Sequence, residues 1–197
     1  MPISSPIPAA SRLFAGAAVA VLALAGAPGR AADCSPPLCA SSGPLHVTVQ
    51  QFRAGNRGDQ HWAQANLRIV NAGRAPLTLG YVDGSGQLLD ENGNTYKVSR
   101  GGARGIGIVE RHRVDTSFVL QPGESADARF EFDWLRGPQS RTGLRFQMSM
   151  SLREVSELPG GQVKLGREHL LRWSALADGA SIAAAAPAAT AAPAAAA

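Results

Sequence analysis

The sequence predicts an all-β chain folded as an antiparallel β-sandwich of about seven to nine strands, with disordered termini. Three observations predict it. Apolar residues recur at every second position from about 45 to 177. Short turn signals separate the alternating runs. Glycine (22) and proline (13) are frequent enough to favour many turns over long helices.

The runs follow one another in order. Leu45, Val47 and Val49 alternate with His46, Thr48 and Gln50. Ala63, Ala65, Leu67 and Ile69 alternate with polar residues, and Leu77, Leu79 and Tyr81 repeat the pattern. Ala126, Ala128, Phe130, Phe132 and Trp134 alternate with Asp127, Arg129, Glu131 and Asp133. Leu144, Phe146, Met148, Met150 and Leu152 do so with Arg145, Gln147, Ser149, Ser151 and Arg153. Period two places one set on a buried face and the other in water. The segments Asn71-Ala-Gly, Asp83-Gly-Ser-Gly, Gln121-Pro-Gly-Glu and Leu158-Pro-Gly-Gly read as turns. Glu91-Asn-Gly-Asn reads as a hairpin, because Asn-Gly tolerates positive φ. For residues 168–176, EHLLRWSAL, the pattern fits a last strand or one helical turn equally.

Both ends differ from this domain. Arg12 precedes an apolar stretch, LFAGAAVAVLALAGA, of residues 13–27, and small residues follow. This reads as a signal peptide over 1–31, cleaved after Ala31; the apolar run is shorter than the ~20 residues that a membrane span needs. Export to the periplasm or the extracellular space is therefore expected, with no transmembrane helix left after cleavage. Asp33 spoils a lipoprotein acceptor pattern at Cys34. Residues 32–44 read as an N-terminal segment ahead of the first strand, carrying both cysteines, Cys34 and Cys39. In an oxidising compartment these two form the one intrachain disulfide available. Residues 178–197 read as an Ala/Pro-rich disordered tail, almost entirely Ala and Pro from 180 onward.

The motifs LRIVNAG (67–73), LLDENGNTYKV (88–98) and FVLQPGESADARFEF (118–132) occur in that order. In this order the chain resembles, over about residues 45–135, a group of bacterial exported immunoglobulin-like domains catalogued as a domain of unknown function. The resemblance implies an immunoglobulin-like sandwich and an exported location. It supplies no catalytic residue.

Chemistry-bearing patterns are sparse. Without the leader the chain carries 17 basic and 15 acidic residues, too balanced to imply a nucleic-acid partner. The stretch 100–113 holds Arg100, Arg104, Arg111 and Arg113 among four glycines. Guanidinium forks and glycine-rich backbone can hold oxyanions, so these four are the candidate anion-binding residues. Against that, the stretch lacks any Walker or Rossmann spacing and reads first as a solvated loop. The histidines, His46, His61, His112 and His169, fall in different segments, which argues against a metal site. Met148 and Met150 share a face with Phe146 and Leu152, which assigns them to the core and not to Cu(I). The chain has no G-x-S-x-G, and no serine adjoins a histidine with an acidic orienter in sequence. The expectation is a non-catalytic binding domain with no cofactor, whose partner is a protein or an envelope polymer. Two further readings are pairing through a sheet edge and anion carriage by the 100–113 stretch.

Overall fold

The computed structural model describes residues 36–136 and 141–181. The leader, Cys34 and the Ala/Pro tail beyond Ser181 lie outside the described residues. Eleven strands run in chain order: β1 (Cys39–Ser42), β2 (Leu45–Arg57), β3 (Gln60–Asn71), β4 (Leu77–Val82), β5 (Gln87–Asp90), β6 (Thr95–Arg104), β7 (Gly107–Val109), β8 (Val119–Leu120), β9 (Ser125–Arg136), β10 (Arg145–Leu158) and β11 (Gln162–Ala177). The described residues contain no helix, so the ambiguous 168–176 segment is strand. The count exceeds seven to nine because β1 and β7 are only four and three residues long, too short for alternation to reveal.

Strand order fixes the architecture. Four strands lie side by side as β2-β3-β9-β6, all antiparallel. Three more lie as β4-β10-β11, also antiparallel. Relabelled A to G in chain order, the long strands give ABED on one side and CFG on the other, the constant-type immunoglobulin arrangement. The two layers meet through apolar side chains. Phe52 on β2 lies 5.0 Å from Phe146 on β10, and Tyr81 on β4 meets Phe130 on β9 edge-on at 5.2 Å. Both pairs join strands that share no ladder, so the contacts cross the sandwich.

The alternation lands as expected. Val47, Val49, Leu67, Ile69, Phe130, Phe132, Phe146, Met148, Met150 and Leu152 are all buried in one cluster. Two departures have local causes. A bulge between Val49 and Gln51 shifts the period of β2 by one residue, which turns Phe52 inward. Leu144 precedes β10 and is 73% exposed, so it does not extend the inward row.

Two features close the sandwich at its ends. β5 lies end to end with β4 along β10, and pairs with β6 on its other side, so it forms a corner between the layers. Beyond β11 the chain crosses to β2, where the Phe52 N–H donates to Ala180 O at 2.8 Å. The sheet also begins earlier than residue 45. Cys39 to Ser42 pair with Thr48 to Leu45, so part of the N-terminal segment is a strand. The signal was hidden because Cys-Ala-Ser-Ser carries no bulky alternating side chains.

Candidate functional site

The arginine-rich stretch is not one loop. Arg100 and Arg104 belong to β6, whereas Arg111 and Arg113 follow β7 in a turn closed by Glu110 N–H donating to Arg113 O. On β6, residues 99–102 oppose a single residue of β9, Glu131, so Arg100 rides on a bulge larger than the usual two-against-one kind. Arg104 stands opposite Arg129, whose guanidinium is engaged by Glu131 at 2.6 Å. All four arginines are exposed, and none forms an ion pair among the described residues. The glycines answer to packing. A Cβ on Gly102 would sit 2.8 Å from Glu131 O, and one on Gly105 would sit 2.6 Å from Asp127 O. Gly105 also has φ +74, so close approach and backbone conformation both require it. Close packing thus accounts for Gly102, Gly105 and Gly107, and positive φ (+70) for Gly101, with no phosphate cradle needed.

The other candidates separate in space. Cys39 is buried on β1 and receives a long hydrogen bond, 3.4 Å, from the Thr48 hydroxyl. His61 is buried and stacks on Trp134 at 4.7 Å, His112 is exposed in the turn after β7, and His169 is buried on β11. Among the described residues no three His, Cys, Asp or Glu side chains assemble as a cation site.

A concave surface does assemble, on the outer face of β5, β10 and β11. Here the inward residues Leu88, Met148 and Trp173 leave their outward neighbours to form a trough. Gln147 and Ser149 on β10 make its floor; Gln87 and Leu89 on β5 and Arg172 and Ser174 on β11 make its walls. Its larger part has a volume of about 640 Å³. A second hollow of about 330 Å³ shares Leu89, Gln147 and Ser174 and extends it past Arg145 and Glu91. The trough runs along residues 145–149 of β10, roughly 13 Å at the usual rise per residue. Its lining offers two amides, three hydroxyls, two guanidiniums, the exposed Glu91 carboxylate beside the buried Asp90, and one exposed leucine. That set suits hydrogen bonding to an extended polar chain, with a small apolar contact at Leu89.

One end of the trough is held by a buried carboxylate. Asp90, 4% exposed, ends β5. Its Oδ1 accepts from Asn92 N–H and Asn94 N–H. Its Oδ2 accepts from Asn94 Nδ2, from the Tyr96 hydroxyl and from Gly143 N–H. Burial disfavours the charge, but these hydrogen bonds outweigh it and hold the carboxyl below the usual range. Burial, reinforced by the Asp90 charge, pushes the Tyr96 hydroxyl well above its ordinary value. The Asp90–Asn94 hairpin, β6 and the chain entering β10 are thereby locked together. Sequence reading identified the turn at 91–94 but missed this role, since Asp at a turn is ordinary.

No family model matches the chain, and neither does any curated protein. Among solved structures it is similar to the ASH / PapD-like domain of human CEP192 (PapD-like domain 7). That similarity has 16% identity and a TM-score of 0.30, and covers 75% of this chain and 89% of the other.

Proposed function

We propose that this chain is an exported immunoglobulin-like domain that acts by binding, and that the trough across β5, β10 and β11 is its docking surface. The leader-like first 31 residues and the ordered motifs at 67–73, 88–98 and 118–132 support export and kinship with the exported bacterial group. The observation that carries the site is the continuity of the two hollows along β10. An extended polypeptide or envelope polymer fits a trough of this shape better than a compact small molecule does, because the trough is elongated and mixes apolar surface with hydrogen-bonding groups.

Filling the trough tests the reading. Gln147→Arg with Ser149→Arg adds bulk to outward positions and leaves the core untouched. The double variant is expected to fold with an unchanged melting temperature and to lose retention of the envelope material that binds the parent. Equal retention by both proteins would remove the trough from the account.

One observation favours a second reading, pairing through a sheet edge. Among the described residues β11 has a ladder on one side only, with β10. Its distal part carries Val163 and Leu165, exposed by 40% and 42%. An unpaired edge with exposed aliphatic side chains can accept another strand.

A further inference from the structure

We propose that Ser42, His169 and Glu154 form a nucleophilic relay, in which Ser42 takes the acyl group of small activated carboxylic esters. This goes beyond the binding reading and rests on different residues. Three distant stretches of chain meet here. Ser42 ends β1, Glu154 lies on β10, and His169 lies on β11. The Ser42 Oγ is 3.3 Å from His169 Nδ1, and His169 Nε2 is 2.9 Å from Glu154 Oε1. The imidazole is fully buried, whereas Ser42 is only half-buried and Glu154 keeps 30% of its side chain exposed.

The relay requires one arrangement of protons: an ionised carboxylate only accepts, so a neutral imidazole beside Glu154 carries its proton on Nε2. That leaves the Nδ1 lone pair facing the Ser42 hydroxyl, as a general base requires. Which ring nitrogen faces the serine is immaterial to the chemistry, since such relays are recognised by geometry and roles. Ser42 also opens a two-residue turn, Gly43-Pro44, with Gly43 at φ +58. A Cβ on Gly43 would lie 3.5 Å from both Arg167 Nη1 and His169 Cε1. The turn beside the serine is thus flanked by the Arg167 guanidinium, a donor for developing negative charge.

In the proposed step the Ser42 proton passes to His169 Nδ1 as Oγ bonds to the ester carbonyl carbon. The Glu154 carboxylate stabilises the imidazolium through Nε2–H. The carbonyl carbon–oxygen bond to the leaving group breaks, and the proton on Nδ1 goes to the departing alkoxide, giving an alcohol and acyl-Ser42. Water then attacks by the same route in reverse, releasing the acid and restoring the serine. Neither hollow of the trough includes Ser42, so this chemistry is spatially separate from the docking surface.

A fluorophosphonate, in which a serine Oγ displaces fluoride at phosphorus, reads the nucleophile directly. The full chain is incubated with the probe and the modified peptide is identified by mass spectrometry. Modification is expected at Ser42, with none in Ser42→Ala, whose melting temperature should match the parent. His169→Gln should slow labelling by about 100-fold or more, the usual contribution of a general base. Glu154 is a positioning residue: Glu154→Gln should slow labelling at least about tenfold, and Glu154→Asp should restore most of the rate. The Ser42 and Glu154 variants keep the test decisive even if His169→Gln fails to fold. Absence of labelling at Ser42 overturns the proposal. So does an equal rate in Glu154→Gln, or an equal rate in heat-denatured protein; either makes the three residues a structural pin between β1 and β11.

Discussion

The Tyr96 hydroxyl donates to Asp90 Oδ2 at 3.0 Å, joining two side chains that are each almost fully buried. The bond links the last residue of β5 to the second residue of β6 across the hairpin that turns the chain from one layer to the other. With three backbone N–H groups and the Asn94 amide on the same carboxylate, all but one of its five donors belong to this hairpin. The geometry of the trough's end depends on it, because Asp90 also borders the smaller hollow.

Asp90→Asn is expected to cost about 2–4 kcal/mol, since it replaces an acceptor-only carboxylate facing several donors with a group that carries its own N–H. The parent should also show a specific pH dependence. Because the folded carboxyl is held below its ordinary range, its stabilisation is complete above about pH 4–5 and drains away as pH falls through the lower folded value. Acid titration of the melting temperature should therefore fall less steeply in Asp90→Asn than in the parent.

Register is tested by paired substitutions. Phe130 and Phe146 are 0% and 1% exposed, so Phe→Ala at either should cost about 3–5 kcal/mol in denaturant unfolding. Arg129 and Arg145 point outward, and their alanine variants should change stability by less than ~1 kcal/mol, including loss of the exposed Arg129–Glu131 pair.

The cysteines are predicted to be joined in the exported protein, so intact mass should show no alkylation before reduction. A bridge closing so short a loop contributes only about 2 kcal/mol by the chain-entropy argument. Because Cys39 is buried on a paired strand, Cys34→Ser with Cys39→Ser should lower the melting temperature measurably, not leave it unchanged as a clip on a loose tail would. The same mass measurement checks the leader: a mature chain starting at Ala32 is expected.

The four arginines give a contrasting prediction. Their exposure and separation over β6 and the turn after β7 mean that replacing all four with serine should leave the melting temperature nearly unchanged. Any retention on an anionic matrix should be weak and lost at physiological salt, where charges are screened over about 8 Å.

Which parts were legible in the sequence follows from the physics of each. Long one-sided strands announce themselves, so Phe130, Phe132, Phe146 and Met148 could be placed inward from period two alone. Short strands such as β1 and β7 hold too few side chains to show a period. Glycines at 102 and 105 suggested a ligand loop because close backbone approach looks the same, in sequence, as a phosphate cradle. The trough was invisible because its lining comes from outward positions on three strands distant in sequence. Ser42, Glu154 and His169 were equally hidden, since a bulge where residues 166 and 167 oppose Glu154 helps set their meeting, and a bulge has no fixed motif.

The most direct test of the trough is site-specific photocrosslinking in intact cells, with a benzophenone side chain at Gln147, at Val163 or at Arg111 in separate variants. The account predicts a discrete adduct from Gln147, identified by mass spectrometry, that is competed by unmodified parent protein. Adducts confined to Val163 or Arg111, with none from Gln147, would contradict it and transfer the binding role to the β11 edge or to the arginine turn.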